Sequence, residues 1–172
     1  YIVTNVVLAL TRTKNPKLDY GHIRAALSGI TGIPAESLES SDALTPRVVR
    51  DEVISIRRSK LPDVEQIGSA GSFFKNPVVD EEVFRKIQEA NADVPHYVTD
   101  GGVKIPAAWL IEQCGWKGRT QGNAGVYEKH PLVIVNATGS ASPGEIIDLK
   151  NDITASVKER FGITLEPEVE II

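Results

Sequence analysis

The sequence predicts an α+β protein. Three observations carry that expectation. Apolar residues recur at three- and four-residue spacing in several stretches, the signature of one-sided helices. Short β-branched runs are scattered between them without the regular alternation of a β-α-β fold. The composition, 41% apolar and 24% charged over 172 residues, is that of a chain that buries a core.

Taken in order, residues 2 to 12 are rich in Ile, Val and Leu and read as a strand. Asn15-Pro16 marks a turn, and Tyr20 to Leu27 is compatible with a short helix. Gly29 to Ala43 carries Gly, Pro and Ser at close spacing and reads as a long loop or insertion. Thr45-Pro46 is a helix start, because Thr caps and Pro suits the first helical position. Val49, Val53 and Ile56 then share a face up to about Lys60, and Leu61-Pro62-Asp63 stops the helix. Asp80 opens a helix through about Ala90 with Val83 and Ile87 inward. Asp100-Gly101-Gly102 is a turn before a short strand at Val103 to Ile105. Pro106 to Cys114 reads as a helix ended by Gly115. The unbroken apolar run from Pro131 to Asn136 is a buried strand. Ser142-Pro143 starts a helix whose stripe is Ile146, Leu149, Ile153, Val157 and Phe161, closed by Gly162. Ile163 to Ile172 reads as a last strand interrupted by Pro167.

Composition narrows the function. A net charge of -4 argues against a general nucleic-acid or membrane-surface binder, since both need a basic field. No apolar run approaches the roughly 18 residues of a membrane span. The single Cys114 cannot form an intramolecular disulfide, which suits a reduced, cytoplasmic setting. The first ten residues lack the basic start and cleavage site of a signal peptide. There is no methionine, and the chain opens inside a strand-like run, as expected for a piece of a longer chain. His22, His96 and His130 are far apart and show no metal-ligand spacing, so no metal site is expected. Neither a dinucleotide nor a P-loop glycine pattern is present. Gly118, Gly122 and Gly125 are read as turn residues.

Three stretches hold chemistry-bearing residues. Gly71-Ser72-Phe73-Phe74-Lys75-Asn76-Pro77 combines a hydroxyl, two aromatics, a cation and a carboxamide. If extended, it turns Ser72, Phe74 and Asn76 one way and Phe73 and Lys75 the other. Such a face suits either a polar ligand or a plain strand with one aromatic in the core. Arg57, Arg58 and Lys60 end a helix, where they either complement its dipole or receive phosphate. Glu166, Glu168 and Glu170 fall on one face of an extended segment, as a solvated edge or as a carboxylate turned into a pocket.

Together these stretches resemble the UDP-N-acetylenolpyruvoylglucosamine reductase family. The resemblance rests on Gly-Ser-Phe-Phe-Lys-Asn-Pro at 71–77, Arg-x-x-Lys-Leu-Pro-Asp at 57–63 and Leu-Glu-Pro-Glu-Val at 165–169. Ala-Ala-Trp-Leu-Ile-Glu-Gln-Cys-Gly at 107–115 and Leu-Val-Ile-Val-Asn at 132–136 fit the same order and spacing. Leu-Asp-Tyr-Gly, with Tyr20, resembles the tyrosine-bearing loop of the family's type I branch. The stretch from Ser28 to Ala43 departs from the family pattern, which is shorter there.

The resemblance implies a division of the chain. Residues 62–172 would be a substrate-binding domain, a small mixed or antiparallel sheet flanked by helices. Residues 1–61 would be the C-terminal end of an α+β flavin-binding domain whose remainder lies upstream. It also implies an activity in the intact enzyme. NADPH and FAD deliver a hydride to the enolpyruvyl double bond of UDP-N-acetylglucosamine enolpyruvate, giving UDP-N-acetylmuramate for peptidoglycan and the cell wall. By the match, Ser72 is the proton donor, and Glu168 stabilises or protonates the enol intermediate. Tyr20, Lys60 and Asn76 hold the diphosphate, and His130 supplies a further polar contact, with Glu128 and Lys129 able to take that place by a shifted register. Arg57 faces the flavin or its phosphates. The fragment alone would be inactive, with FAD absent or weakly bound, and no protein partner is indicated. The alternatives are a non-catalytic nucleotide-sugar binding module, which needs neither Ser72 nor Glu168, and a structural domain that binds no ligand.

Overall fold

A computed structural model describes residues 2–19 and 22–171. The chain forms two compact units, Tyr1–Arg57 and Arg58–Ile172. The fold is α+β with antiparallel sheets, as the sequence predicts.

The first unit is built on helices α1 (Ile23–Thr31) and α2 (Pro46–Lys60), with a single 3-10 turn at Ala35–Ser37 between them. Thr45 accepts the Val48 N–H through its Oγ1 at 3.3 Å and so starts α2 where the sequence places it. Leu18, Leu27, Leu38 and Leu44 are buried together, with Ile23, Ile33, Val48 and Val49 against them. Leu38 is therefore a core residue inside a stretch read from sequence as loop. Arg24 donates to Asp19, Glu39 and the Ala35 carbonyl, which closes that stretch onto α1.

The strand expected over residues 2 to 12 is not formed. Described positions there are neither helix nor strand, and Ile2, Val7 and Leu10 are 88–95% exposed. β-propensity without a partner strand leaves every backbone group unpaired and buries nothing, so it cannot hold a strand by itself.

The second unit carries a four-stranded sheet of order β1-β7-β6-β5, from β1 (Ser69–Ser72), β5 (Thr120–Gln121), β6 (Ala124–Val126) and β7 (Val133–Asn136). A smaller sheet of order β2-β4-β3 joins β2 (Val78–Val79), β3 (Tyr97–Thr99) and β4 (Gly102–Lys104). Every described strand pair is antiparallel. Helices α3 (Glu81–Ala90), α4 (Ala107–Gln113) and α5 (Pro143–Phe161) complete the unit. The stripe of α5 is buried at Leu149, Ile153, Val157 and Phe161, each worth roughly 1.5–3 kcal/mol in burial. Gly162 closes α5 at φ 72°, a left-handed turn that glycine takes without steric cost.

Two local readings are corrected. Gly118 and Gly122 are turn residues with positive φ, but Gly125 lies inside β6. A Cβ at Gly125 would stand 3.0 Å from Thr120 Cγ2, so it is close approach across the hairpin that favours glycine there. Over the described residues 163–171 the expected last strand is also not formed. Residues 163–170 alternate inward and outward, yet their only β-bridge among the described residues joins Pro167 to Phe74. Pairing with the 73–75 stretch is limited to the two backbone hydrogen bonds that flank this bridge, Lys75 N–H to the Glu166 carbonyl and Glu168 N–H to the Phe73 carbonyl.

One polar knot ties the unit together. Glu145 Oε1 accepts from the backbone N–H and the Nδ2 of Asn123, and Oε2 accepts from the N–H and Oγ of Ser142. Ser142 in turn accepts the Glu145 N–H, completing a capping box at the start of α5. These donors, first the Ser142 and Asn123 backbone N–H groups, hold the Glu145 carboxyl at about 2, from an ordinary 4.5. A depressed folded pKa means the contribution is full above the ordinary value and is lost as pH falls towards 2. Glu145→Gln, which replaces one acceptor by a donor, should lower the melting temperature at pH 7. The gap to the parent should close as pH is lowered from about 5 to 2. A gap independent of pH would contradict this role.

Candidate functional site

The stretch around Ser72 does not run as a regular strand. Between the pairs Ser69–Val135 and Ser72–Val133, β1 advances three residues while β7 advances two. The extra residue is a bulge, and Gly71 sits in it at φ 77°. The chain then changes neighbours. Phe73 N–H donates to the Leu132 carbonyl at 2.8 Å, whereas its own carbonyl accepts from Glu168 N–H at 2.9 Å. Regular antiparallel pairing would direct both groups of one residue to the same neighbour. This twist defeats the expected alternation. Phe73 and Phe74 are both buried, 4% and 1% exposed, with ring centroids 5.4 Å apart, and Ser72 is left exposed on the edge.

The same twist gathers candidate residues around the Phe73 backbone. Glu168 is bonded to it on one side and is exposed. On the other side, Leu132 leads to His130, whose Nδ1 accepts the Leu132 N–H at 3.3 Å. In the neutral ring that acceptor role leaves the proton on Nε2 as a donor. His130 is half-buried, and its pKa is lowered by burial first, then by the positive charge of Lys60, and further by Lys117. Lys60 and Lys117 therefore both act on one imidazole. Lys117 also pairs with Glu112 at 2.7 Å, while Lys60 is exposed at the end of α2. A neutral N–H donor under the influence of two ammonium groups suits an anion, by charge-assisted hydrogen bonds. Lys117 was missed by sequence reasoning: it lies in a turn, and only folding brings it towards His130.

The other candidates are placed as follows. Asn76 Oδ1 accepts the Ala107 N–H at 2.9 Å, which orients the carboxamide at the start of α4. Asn76 also lines a cleft of about 420 Å³ with Lys75, Asp80, Thr164 and Glu166. Glu128 and Lys129, the register alternatives to His130, are exposed in the turn before β7. Arg57 belongs to the first unit and is exposed on α2. Tyr20 lies outside the described residues. A flavin needs a largely enclosed pocket with placed polar groups. Arg57, exposed on a helix surface, does not provide such a pocket by itself. Among the described residues no group of three or more His, Cys, Asp or Glu could hold a metal ion, and no helix is long and apolar enough to cross a membrane.

Known proteins resemble this chain along almost its whole length. Residues 62–172 match the sequence model of the UDP-N-acetylenolpyruvoylglucosamine reductase C-terminal domain. A UDP-N-acetylenolpyruvoylglucosamine reductase of Pseudomonas putida is 44% identical over 171 residues, covering 98% of this chain and 47% of that protein. Its counterparts in Bacteroides fragilis and Paraburkholderia xenovorans are 42% and 41% identical, again over 171 residues. They are covered over 48% and 46% of their lengths, so the chain spans about half of the relatives it matches.

Proposed function

The chain belongs to the UDP-N-acetylenolpyruvoylglucosamine reductase family, and on that premise we propose that it supplies substrate binding and proton delivery to a longer, cytoplasmic, flavin-dependent reductase of peptidoglycan synthesis. In this reading residues 62–172 are the substrate domain and residues 1–61 the end of the flavin domain. The observation that supports it best is the cationic corner of Lys60, Lys117 and His130, joined through Leu132 to the edge that carries Ser72 and Glu168.

The chemistry asks for these groups. When bound elsewhere in the intact enzyme, FAD reduced by NADPH supplies the hydride. Hydride addition to an enolpyruvyl double bond leaves carbanion-like charge beside a carboxylate. That charge must be met by fixed donors or cations. Lys60, Lys117 and the His130 Nε2–H meet the anionic groups of UDP-N-acetylglucosamine enolpyruvate, with Tyr20 and the Asn76 Nδ2 on the diphosphate. Ser72 gives its hydroxyl proton to the carbon next to the one that receives the hydride. A serine hydroxyl is a weak acid, so it serves only because the carbanion is a stronger base and the site is positive. Glu168 stabilises the enol form. Arg57 is assigned to the flavin side. Without its other half the chain is inactive and holds little or no FAD. A nucleotide-sugar binding module without redox chemistry would require the corner but not Ser72 or Glu168.

The corner can be tested on this chain. An anion seated there offsets the charges of Lys60 and Lys117, so the His130 pKa should rise when the enolpyruvyl nucleotide sugar is added. NMR titration of the imidazole, with His22 and His96 as internal references, reads this directly. The rise should be smaller in Lys60→Ala. An unchanged His130 titration at saturating ligand would contradict the assignment.

A further inference from the structure

The segment that carries Glu168 is anchored by the buried Leu165 on one side and by Val169 against the core on the other, and its backbone pairing between them points to a role for Pro167. That pairing, with the 73–75 stretch, consists of two backbone hydrogen bonds, Lys75 N–H to the Glu166 carbonyl and Glu168 N–H to the Phe73 carbonyl, each 2.9 Å. They flank the Phe74–Pro167 bridge. One exposed ion pair, Lys75 with Glu166 at 3.7 Å, lies beside them. Glu166, Glu168 and Glu170 are all exposed on one face of the segment.

Pro167 occupies the one site in this pairing where proline costs nothing. Both hydrogen bonds belong to its neighbours, so Phe74 and Pro167 form a non-hydrogen-bonded pair and no ladder bond needs the missing N–H. What proline adds is stiffness. Its ring fixes φ near -65° immediately before Glu168. Its Cδ also confines the preceding Glu166 to extended conformations. Across the bridge stands Phe74, 1% exposed and unable to shift without opening the core.

We propose that Pro167 is a positioning residue, whose rigid backbone, braced on Phe74, holds the Glu168 carboxylate beside the Ser72 edge. The proposal rests on the reading of Glu168 as a group that acts on the substrate. Pro167→Ala is the probe, because it leaves both backbone hydrogen bonds available while it frees the segment.

The experiment is a four-variant cycle in the intact reductase: parent, Pro167→Ala, Glu168→Gln and the double variant, each with kcat, KM and melting temperature. Misplacing a reacting group by about 1 Å can cost about a hundredfold in rate. Pro167→Ala is therefore expected to lower kcat about ten- to a hundredfold, with KM and melting temperature close to the parent. In the Glu168→Gln background the same substitution should change kcat less than about twofold, because there is no carboxylate left to misplace. An equal loss of kcat in both backgrounds, or no loss in the parent background, overturns the role of Pro167 while leaving that of Glu168 intact. A Glu168→Gln variant with parental kcat overturns the reading of Glu168 and the proposal with it.

Discussion

Phe74→Ala is expected to destabilise the second unit by about 3–5 kcal/mol, the usual cost of emptying a buried phenylalanine site. The ring is 1% exposed and packs against Phe73 within a cluster that includes Leu110, Leu149, Ile153 and Leu165. Its neighbours belong to elements far apart in sequence, so the cavity cannot be filled by a local shift. Both tryptophans, Trp109 and Trp116, lie in this unit, and their fluorescence in a denaturant titration reports its unfolding. Val98→Ala is the control: at 83% exposed it should change stability by less than about 0.5 kcal/mol. A Phe74→Ala curve that coincides with Val98→Ala would show that the ring does not anchor the core.

That anchoring is the point at which sequence and fold diverge most usefully. A period of two predicts opposite faces for Phe73 and Phe74. The structure buries both, because a bulge at Gly71 and a change of pairing partner rotate the backbone between them. Neither cause is local. Leu132 and Glu168 are about 60 and 95 residues away, and no window around Phe73 contains them. The same holds for β2, β3 and β5, strands of two or three residues that exist only through their partners. Gly125 reads as a turn residue because its requirement, the methyl of Thr120, comes from across a hairpin. The run from 2 to 12 errs the other way, with strong propensity and no strand paired to it among the described residues.

Where the signals are local, they were legible. The long helix α5 begins at Ser142-Pro143, ends at Gly162 and buries the predicted stripe. Helix α4 ends at the left-handed Gly115. In the candidate site, Ser72, Lys60 and Glu168 lie in stretches the sequence singles out, whereas His130 comes only from the family resemblance; hydrogen bonds through Phe73 and Leu132 link Glu168 and His130 to the Ser72 edge. Lys117 comes from neither, because a lysine in a turn carries no sequence mark of the imidazole it will act upon.

Ser72→Ala carries the largest expected effect on chemistry. A positioned general acid contributes about 10²–10⁴-fold, so its loss should slow conversion of the enolpyruvyl substrate by that factor. Folding should be unaffected. The residue is exposed at the end of β1, and among the described residues its hydroxyl has no hydrogen-bond partner to lose. Substrate affinity should also change little, because the corner of Lys60, Lys117 and His130 remains. What distinguishes a proton donor from a residue that merely shapes the pocket is which half of the reaction suffers. In the proposed reaction, proton delivery enters only after the hydride has moved to substrate, and it has no part in reduction of the flavin.

The decisive measurement is therefore rapid mixing of the intact reductase and its Ser72→Ala variant in two separate half-reactions, flavin reduction by NADPH and flavin reoxidation by UDP-N-acetylglucosamine enolpyruvate. The account predicts unchanged reduction and a reoxidation rate about 10²–10⁴-fold lower in the variant. Equal loss in both halves, or parental rates in both, would contradict the assignment of proton delivery to this chain.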